Sequence, residues 1–372
     1  MRILILLHEA FGGRGGIAKF NRDLITALCA HPGVSSVTAI PQLAAEPPGP
    51  LPQKLIYATS GLGSKASWFL RVGLAALSRS HFDLILCGHI HLLPAAFAVQ
   101  RLNRAPLALV IHGIEAWHRT GRRLTDRLAS RIDLLIAVSQ VTRSRFTAWT
   151  GADVPSVLLP NTVDLAYFTP GEPDPALVER WGLRGRRVLL TLARLEARER
   201  YKGIDEVIEI MPSLVAEFPD LTYVIAGEGS DRPRLEAKAR EAGLAGSIVF
   251  TGYVPEAEKR DLYRASHVFA MPGHGEGFGI VYLEAMACGI PVIASIMDGS
   301  REAVRDGLLG RTVNPSDAAE LRAAIRAALQ EPKGVVPAGL DHFDLQHFRR
   351  RVHAIVDQAR QTHAQALALR GR

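Results

Sequence analysis

Two acids and two cations carry the most specific chemistry in this sequence. Glu276 and Glu284 stand eight residues apart in GHGEGFGIVYLEAMACGIPVIAS (273–295), with Gly275, Gly277, Phe278 and Gly279 between or beside them. A carboxylate accepts two hydrogen bonds from a vicinal diol, and the free amides of a glycine-rich helix start meet an anion. One acid therefore fits the hydroxyls of a ribose and the other fits those of a second sugar, provided cations stand nearby. ARLEARERYKG (193–203) offers them. Arg194 and Lys202 flank a turn between a strand and a helix, where two cations suit a diphosphate. Arg198 and Arg200 read as a solvated charge run.

Weaker signals lie in the first half. FGGRGG (11–16) follows the first apolar run and opens a helix, so Gly15 and Gly16 let backbone approach an anionic ligand. Its spacing is neither a Walker loop nor the dinucleotide fingerprint. His112 ends an apolar run and is placed to give a hydrogen bond to a hydroxyl or a phosphate; His8 has a similar but lesser claim. No H-E-x-x-H, D-x-D or Cys/His spacing appears, so no metal ligands are expected. Cys29, Cys87 and Cys288 lie far apart in apolar surroundings and read as buried reduced thiols of a cytoplasmic protein.

These residues need elements to hold them. RILILL (2–7), FDLILC (82–87), LALVIH (107–112) and DLLIAVS (133–139) are near-continuous apolar runs, as strands covered on both faces require. Helical patterns at 17–30, 65–79, 120–131 and 140–149 separate them. The second half repeats the alternation. Its strands are expected at 187–193, 221–227, 247–252, 267–272 and 291–295, and its helices at 203–217, 231–243, 256–264, 279–289 and 316–330. The Pro-rich stretch 159–175 reads as a linker, 41–53 as a mobile loop, and 343–368 as a last helix. With 372 residues, two domains are the natural expectation: 1–165, joined by helix 343–372 packing back on it, and 166–342. Both are α/β, Rossmann-like doubly wound parallel sheets, with ligand bound beyond the strands' carboxyl ends in a cleft between them.

Charge is unevenly placed. Residues 1–166 hold 17 Lys and Arg against 9 Asp and Glu, and the remainder 27 against 28. A basic first half suits an anionic substrate or an anionic membrane surface; no aromatic-basic module points to nucleic acid. KASWFLRVGLAALSR (65–79), with Trp68, Phe69, Lys65, Arg71 and Arg79, and WHRTGRRLTDRLASR (117–131), with five arginines, are the segments that could rest on lipid headgroups. The opening apolar run, Ile3 to Leu7, is shorter than a signal-peptide core or a membrane span. The expected location is cytoplasmic, at most peripheral on the inner face of a membrane.

Taken together, the motifs resemble the retaining glycosyltransferases of family 4, which have the GT-B fold. The resemblance rests on E-x7-E from Glu276 to Glu284, PNTVDLAYFTP (160–170), ARL…KG (193–203), VIAGEGSDRPRLEAKA (224–239) and FTGYVPEAEKRDLYRASHVFAMPGHGEGFG (250–279). It implies a donor site in the second domain. Glu276 would contact the donor sugar and Glu284 the ribose, while Phe278, Gly279, Ile280 and Val281 would surround the sugar and diphosphate. Arg194 and Lys202 would bind the diphosphate, Gly15 and Gly16 would approach it, and His112 would lie beside the sugar. Gly227 and the 252–254 turn, including Val254, would take the base. The Arg-to-Lys spacing is stretched near RERY, leaving Arg198, Arg200 and Lys202 as alternative companions of Arg194.

The implied activity is retaining, metal-independent transfer of a hexose from GDP-mannose or a UDP-hexose to a glycan or lipid-linked acceptor, with no cofactor, in cell-surface polysaccharide or lipopolysaccharide assembly. The alternatives are a GT-B epimerase, a phosphorylase, or a non-catalytic two-domain sugar-binding protein.

Overall fold

A computed structural model describes residues 1–78, 81–151 and 153–370, the last ten of these as helical backbone only. Arg79, expected on the basic face of the second helix, lies outside the described residues. The chain forms two compact units, Met1–Thr162 with Leu345–Arg372, and Val163–Asp344; the sequence had suggested breaks at 165/166 and 342/343.

In the first unit the order is β1 (Arg2–Leu7), α1 (Gly15–Ala30), β2 (Ser36–Pro41), β3 (Leu55–Tyr57), α2 (Lys65–Ala76), β4 (Leu84–Cys87) and α3 (Leu93–Asn103). Then come β5 (Leu107–Ile111), α4 (Arg123–Leu128), β6 (Leu134–Ala137), α5 (Gln140–Thr150) and β7 (Ser156–Leu158). The seven strands lie in the order β3-β2-β1-β4-β5-β6-β7, all pairs parallel. Ile3 to Leu7 are fully buried, because helices cover both faces of the central strands.

The second unit runs α6 (Pro175–Arg180), β8 (Arg187–Leu192), α7 (Ile204–Glu217), β9 (Leu221–Ala226), α8 (Arg232–Glu241), β10 (Ile248–Gly252) and α9 (Glu256–Ala265). It continues β11 (Val268–Ala270), α10 (Ile280–Ala287), β12 (Val292–Ser295), α11 (Ser300–Ala303), β13 (Arg311–Val313) and α12 (Ala318–Ala328). Its strand order is β10-β9-β8-β11-β12-β13, again parallel. Helix α13 (Leu345–Arg370) returns to the first unit. There it packs on α1: Phe348 meets Phe20 edge-on at 5.8 Å, His353 Nε2 lies 3.1 Å from the Ala27 carbonyl, and Asp357 pairs with His31 at 3.3 Å.

Two local expectations change. The stretch 41–53 is tied down at its start, since Ala45 and Glu46 give their N–H to the Gly12 carbonyl (2.8 and 2.9 Å) and Arg14 pairs with Glu46. Trp68 does not face outward. It is buried, donating from Nε1 to the Ile40 carbonyl at 3.3 Å, because the i, i+4, i+7 stripe of Trp68, Val72 and Ala75 is the inner face of α2. The outer face carries Phe69, Leu70, Leu74 and Leu77, all more than half exposed. No described helix is long and apolar enough to cross a membrane.

Candidate active site

The second unit gathers three turns at the carboxyl ends of β8, β11 and β12. The β8–α7 turn carries Arg194 to Gly203, the β11–α10 loop carries Gly273 to Gly279, and the turn after β12 carries Asp298 to Ser300. Lys202 Nζ donates to Glu276 Oε2 at 2.6 Å, with both side chains more than four-fifths buried. That contact joins the first two turns. Burial alone would lower the Lys202 pKa, but the facing Glu276 carboxylate outweighs it and holds the ammonium above its usual value.

The remaining cations of the turn do not converge there. Arg194 is largely exposed and pairs with Glu199 at 2.5 Å. Arg200 is drawn aside, its Nη2 and Nε 2.9 and 3.0 Å from Asp231 Oδ1. Asp231 is in turn held by Arg234, which also bridges to Asp205. Arg198 is exposed. Of the three cations that could accompany Arg194, Lys202 alone faces the acid loop among the described residues.

Several residues that the sequence reading overlooked fix this loop. The His274 amide donates to the Tyr201 carbonyl at 2.9 Å, and a Cβ on Gly275 would fall 2.4 Å from the Tyr201 ring. Asp298, fully buried, accepts the Glu276 amide on Oδ2 (2.8 Å) and the Ser300 hydroxyl and amide on Oδ1 (2.6 and 3.0 Å). Burial pushes its carboxyl pKa up against those hydrogen bonds. Gly299 N–H then closes on the Glu276 carbonyl at 2.8 Å. The sequence signal was available: D-G-S just after a buried strand is turn chemistry.

Glu284 occupies the second turn of α10. It is 1% exposed, and its Oε2 accepts from Tyr263 Oη of α9 at 2.8 Å. Burial and the neighbouring carboxylate raise the Tyr263 phenol well above its usual range. Burial would lower Lys259, but Glu284 and its ion-pair partner Glu256 hold it raised. Helix α10 is preceded by Gly279, at φ +90° and with no side chain to cap it, so its first amides have no carboxylate or hydroxyl from the cap residue. Phe278 is buried edge-on against Phe343, Ile280 is buried and Val281 half-buried. Gly227, at φ +143°, donates to the Gly252 carbonyl at 2.9 Å and lies so near Ala193 that a Cβ would reach 1.8 Å from its oxygen. Val254 follows in the β10–α9 turn and is buried.

Gly15, Gly16 and His112 belong to the first unit. Both glycines are exposed with open space around them. His112 directs Nε2 at the Gly88 carbonyl, 3.0 Å away.

The two parallel-sheet domains are those of the GT-B fold. Anabaena HepE, solved in complex with UDP-glucose, superposes with TM-score 0.74 at 20% identity over 96% of this chain and all of the other. Sucrose-phosphate synthase from Thermosynechococcus elongatus does so at 0.71 and 22%, over 99% of this chain and all of that one. Two family models match in succession: "Glycosyltransferase Family 4" over residues 14–167 and "Glycosyl transferases group 1" over 177–336. The chain therefore belongs to the family 4 glycosyltransferases.

Among curated relatives, a GDP-mannose-dependent alpha-(1-6)-phosphatidylinositol monomannoside mannosyltransferase of Mycolicibacterium smegmatis is 36% identical over 228 residues, 59% of each chain. A D-inositol 3-phosphate glycosyltransferase of Geodermatophilus obscurus is 32% identical over 241 residues, 62% of this chain and 53% of that one. The matches thus span less than two thirds of those relatives' lengths.

Proposed function

We propose that this protein moves a hexose from a nucleotide diphospho-sugar to a hydroxyl of a glycan or lipid-linked acceptor, retaining the anomeric configuration. The carrying observation is the Lys202–Glu276 pair, which sets a buried cation and a sugar-seeking acid 2.6 Å apart, one loop away from the uncapped start of α10. Lys202 and the α10 amides take the diphosphate, and Arg194 joins them by exchanging Glu199 for it. Glu276 takes donor-sugar hydroxyls and Glu284 takes the ribose. The departing phosphate oxygen accepts the acceptor proton as the glycosidic bond to it breaks and the new one forms on the same face. The protein supplies positioning and positive charge to the leaving group. No step requires a metal or cofactor.

The mannosyl-transferring relative is described as GDP-mannose-dependent, which favours GDP-mannose over a UDP-hexose as donor and an inositol- or glycan-bearing lipid as acceptor. Cell-surface glycan or glycolipid assembly is the matching pathway class. The outer face of α2 and the exposed arginines at 119, 122, 123, 127 and 131 suit approach to an anionic bilayer.

Calorimetry with GDP, UDP and their hexose conjugates tests the reading. One nucleotide should bind, and Lys202→Met and Glu276→Gln should each lower turnover at least 10²-fold in a folded protein. Near-normal turnover in either variant, or no nucleotide binding by the wild type, sinks it.

A further inference from the structure

The second unit has a hollow that none of the residues assigned to the donor lines. It opens beside β10, the outermost strand of the sheet. Its volume is about 510 Å³, within the span of about 300–1,000 Å³ common for small-molecule sites. Its wall includes Arg180 at the end of α6 and Trp181 just after it, Phe250 and Thr251 of β10, Tyr253 in the next turn, and Glu258 of α9. Trp181 and Phe250 are half-buried and Tyr253 is exposed. Such rings supply flat apolar faces for a ligand.

The polar groups among the rings balance in charge. Arg180 and Glu258 form a two-pronged ion pair, Nη1 donating to Oε1 at 3.3 Å and Nη2 to Oε2. The Arg180 side chain is half exposed, and its guanidinium lies over the Trp181 ring, 4.7 Å from the centroid. The fork leaves further N–H groups on the guanidinium and lone pairs on the carboxylate. Thr251 Oγ1 gives its proton to the Gly252 carbonyl at 3.0 Å, so its oxygen is left to accept. The wall thus offers donors and acceptors side by side at no net charge. A phosphate would meet Glu258 and a cation would meet Arg180, and each would be repelled. A pyranose suits both features of the wall. Its hydroxyls give and accept hydrogen bonds, and its C–H face lies flat on an aromatic ring.

We propose that this hollow is a second carbohydrate site, which grips neutral pyranose units of a glycan chain apart from the residues that hold the donor. A chain held there is kept at high effective concentration beside the enzyme. Fluorine NMR of protein labelled with 5-fluorotryptophan tests the site directly, because Trp181 is the one tryptophan of the second unit. Maltotriose and α-(1→6)-mannotriose are the probes. At least one should shift the Trp181 resonance, assigned with Trp181→Phe, in a saturable way and leave the other tryptophans in place. Trp181→Ala should weaken that binding about tenfold, read by saturation-transfer NMR on the sugar. Arg180→Gln should weaken it about fivefold. Should Trp181→Ala fail to fold, Arg180→Gln, at a half-exposed side chain and checked by its melting curve, carries the comparison. Tyr253 adjoins Val254 of the expected base turn, so nucleotide is the control: GDP or UDP affinity should stay within about twofold in both variants. A Trp181 resonance that neither trisaccharide moves overturns the site. So does one that moves with GDP or UDP instead, or unchanged sugar binding in the folded variants.

Discussion

Gly299→Ala is a single-methyl test of how Glu276 is positioned. Gly299 has ordinary right-handed backbone angles, φ −70° and ψ −10°, so alanine meets no torsional obstacle there. Space is the obstacle: an added Cβ would lie 2.0 Å from the Gly277 carbonyl oxygen and 3.1 Å from that of Glu276. The acid loop must retreat by about 1 Å, and a displacement of that size in a reacting group costs on the order of 10²-fold in rate. The retreat also breaks the Gly299–Glu276 hydrogen bond and strains the one from Glu276 to Asp298, both 2.8 Å. Leaving one such buried group unsatisfied costs about 1–3 kcal/mol. The assay is steady-state turnover of the nucleotide sugar, paired with calorimetric affinity for the nucleoside diphosphate and a urea midpoint. We expect kcat to fall about 10²-fold and nucleotide affinity to change little, because Lys202 and α10 stay in place. Gly246→Ala is the control, a position in the same unit with open space around it. A Gly299→Ala protein as active and as stable as that control would refute the account of how the two turns brace each other.

Stability should also fall with acid in a defined window. The unfolded chain protonates His89 near 6.5, whereas the folded protein resists until about 2. The unfolded state thus binds more protons between those values, and stability drops as pH falls through 6.5. At pH 5 the loss from this group is about 2 kcal/mol, opposed by no acid in contact and reinforced by His8, His91, His112 and Arg122. Urea unfolding at pH 7 and 5 should show His89→Gln losing correspondingly less than wild type; equal losses would exclude His89 as the source. For the outer face of α2, Leu70→Ser with Leu74→Ser should reduce sedimentation with phosphatidylglycerol vesicles several-fold while leaving turnover of a water-soluble acceptor intact. Undiminished vesicle binding would assign that face another purpose.

The central strands were legible because burial on both faces leaves an unbroken apolar run, as in RILILL for β1 and LTYVIA for β9. What escaped was short or disguised. β3, β7 and β13 have three residues each, too few for any period to register. β2 ends on Pro41 and includes Thr38, and α3 carries apolar residues on most of its faces after a proline at its start, which blurs helix and strand. α6 begins on the last residue of the Pro-rich linker, which supplies its Asp174 cap. In the candidate site, residue types and local spacing singled out Glu276 and Lys202. Their contact spans 74 positions of sequence and only the parallel order of β8 and β11 brings it about. Asp298 and the Glu276 amide, 22 positions apart, are likewise brought together by the parallel pairing of β11 and β12. The histidines after β4 were readable by the rule that drew notice to His112, a polar side chain directly beyond a buried strand, but CGHIH was passed over.

The return of α13 to the first unit has a kinetic consequence. Phe20, Ala27 and His31 are made early, and the surface that covers them, from Phe348 to Asp357, leaves the ribosome only after some three hundred further residues have emerged. The second unit, contiguous in sequence, is free to mature in the interval. Until that last segment arrives, the amino-terminal lobe keeps an oily seam open to solvent, so nascent chains stalled before residue 345 should be clients of holding chaperones.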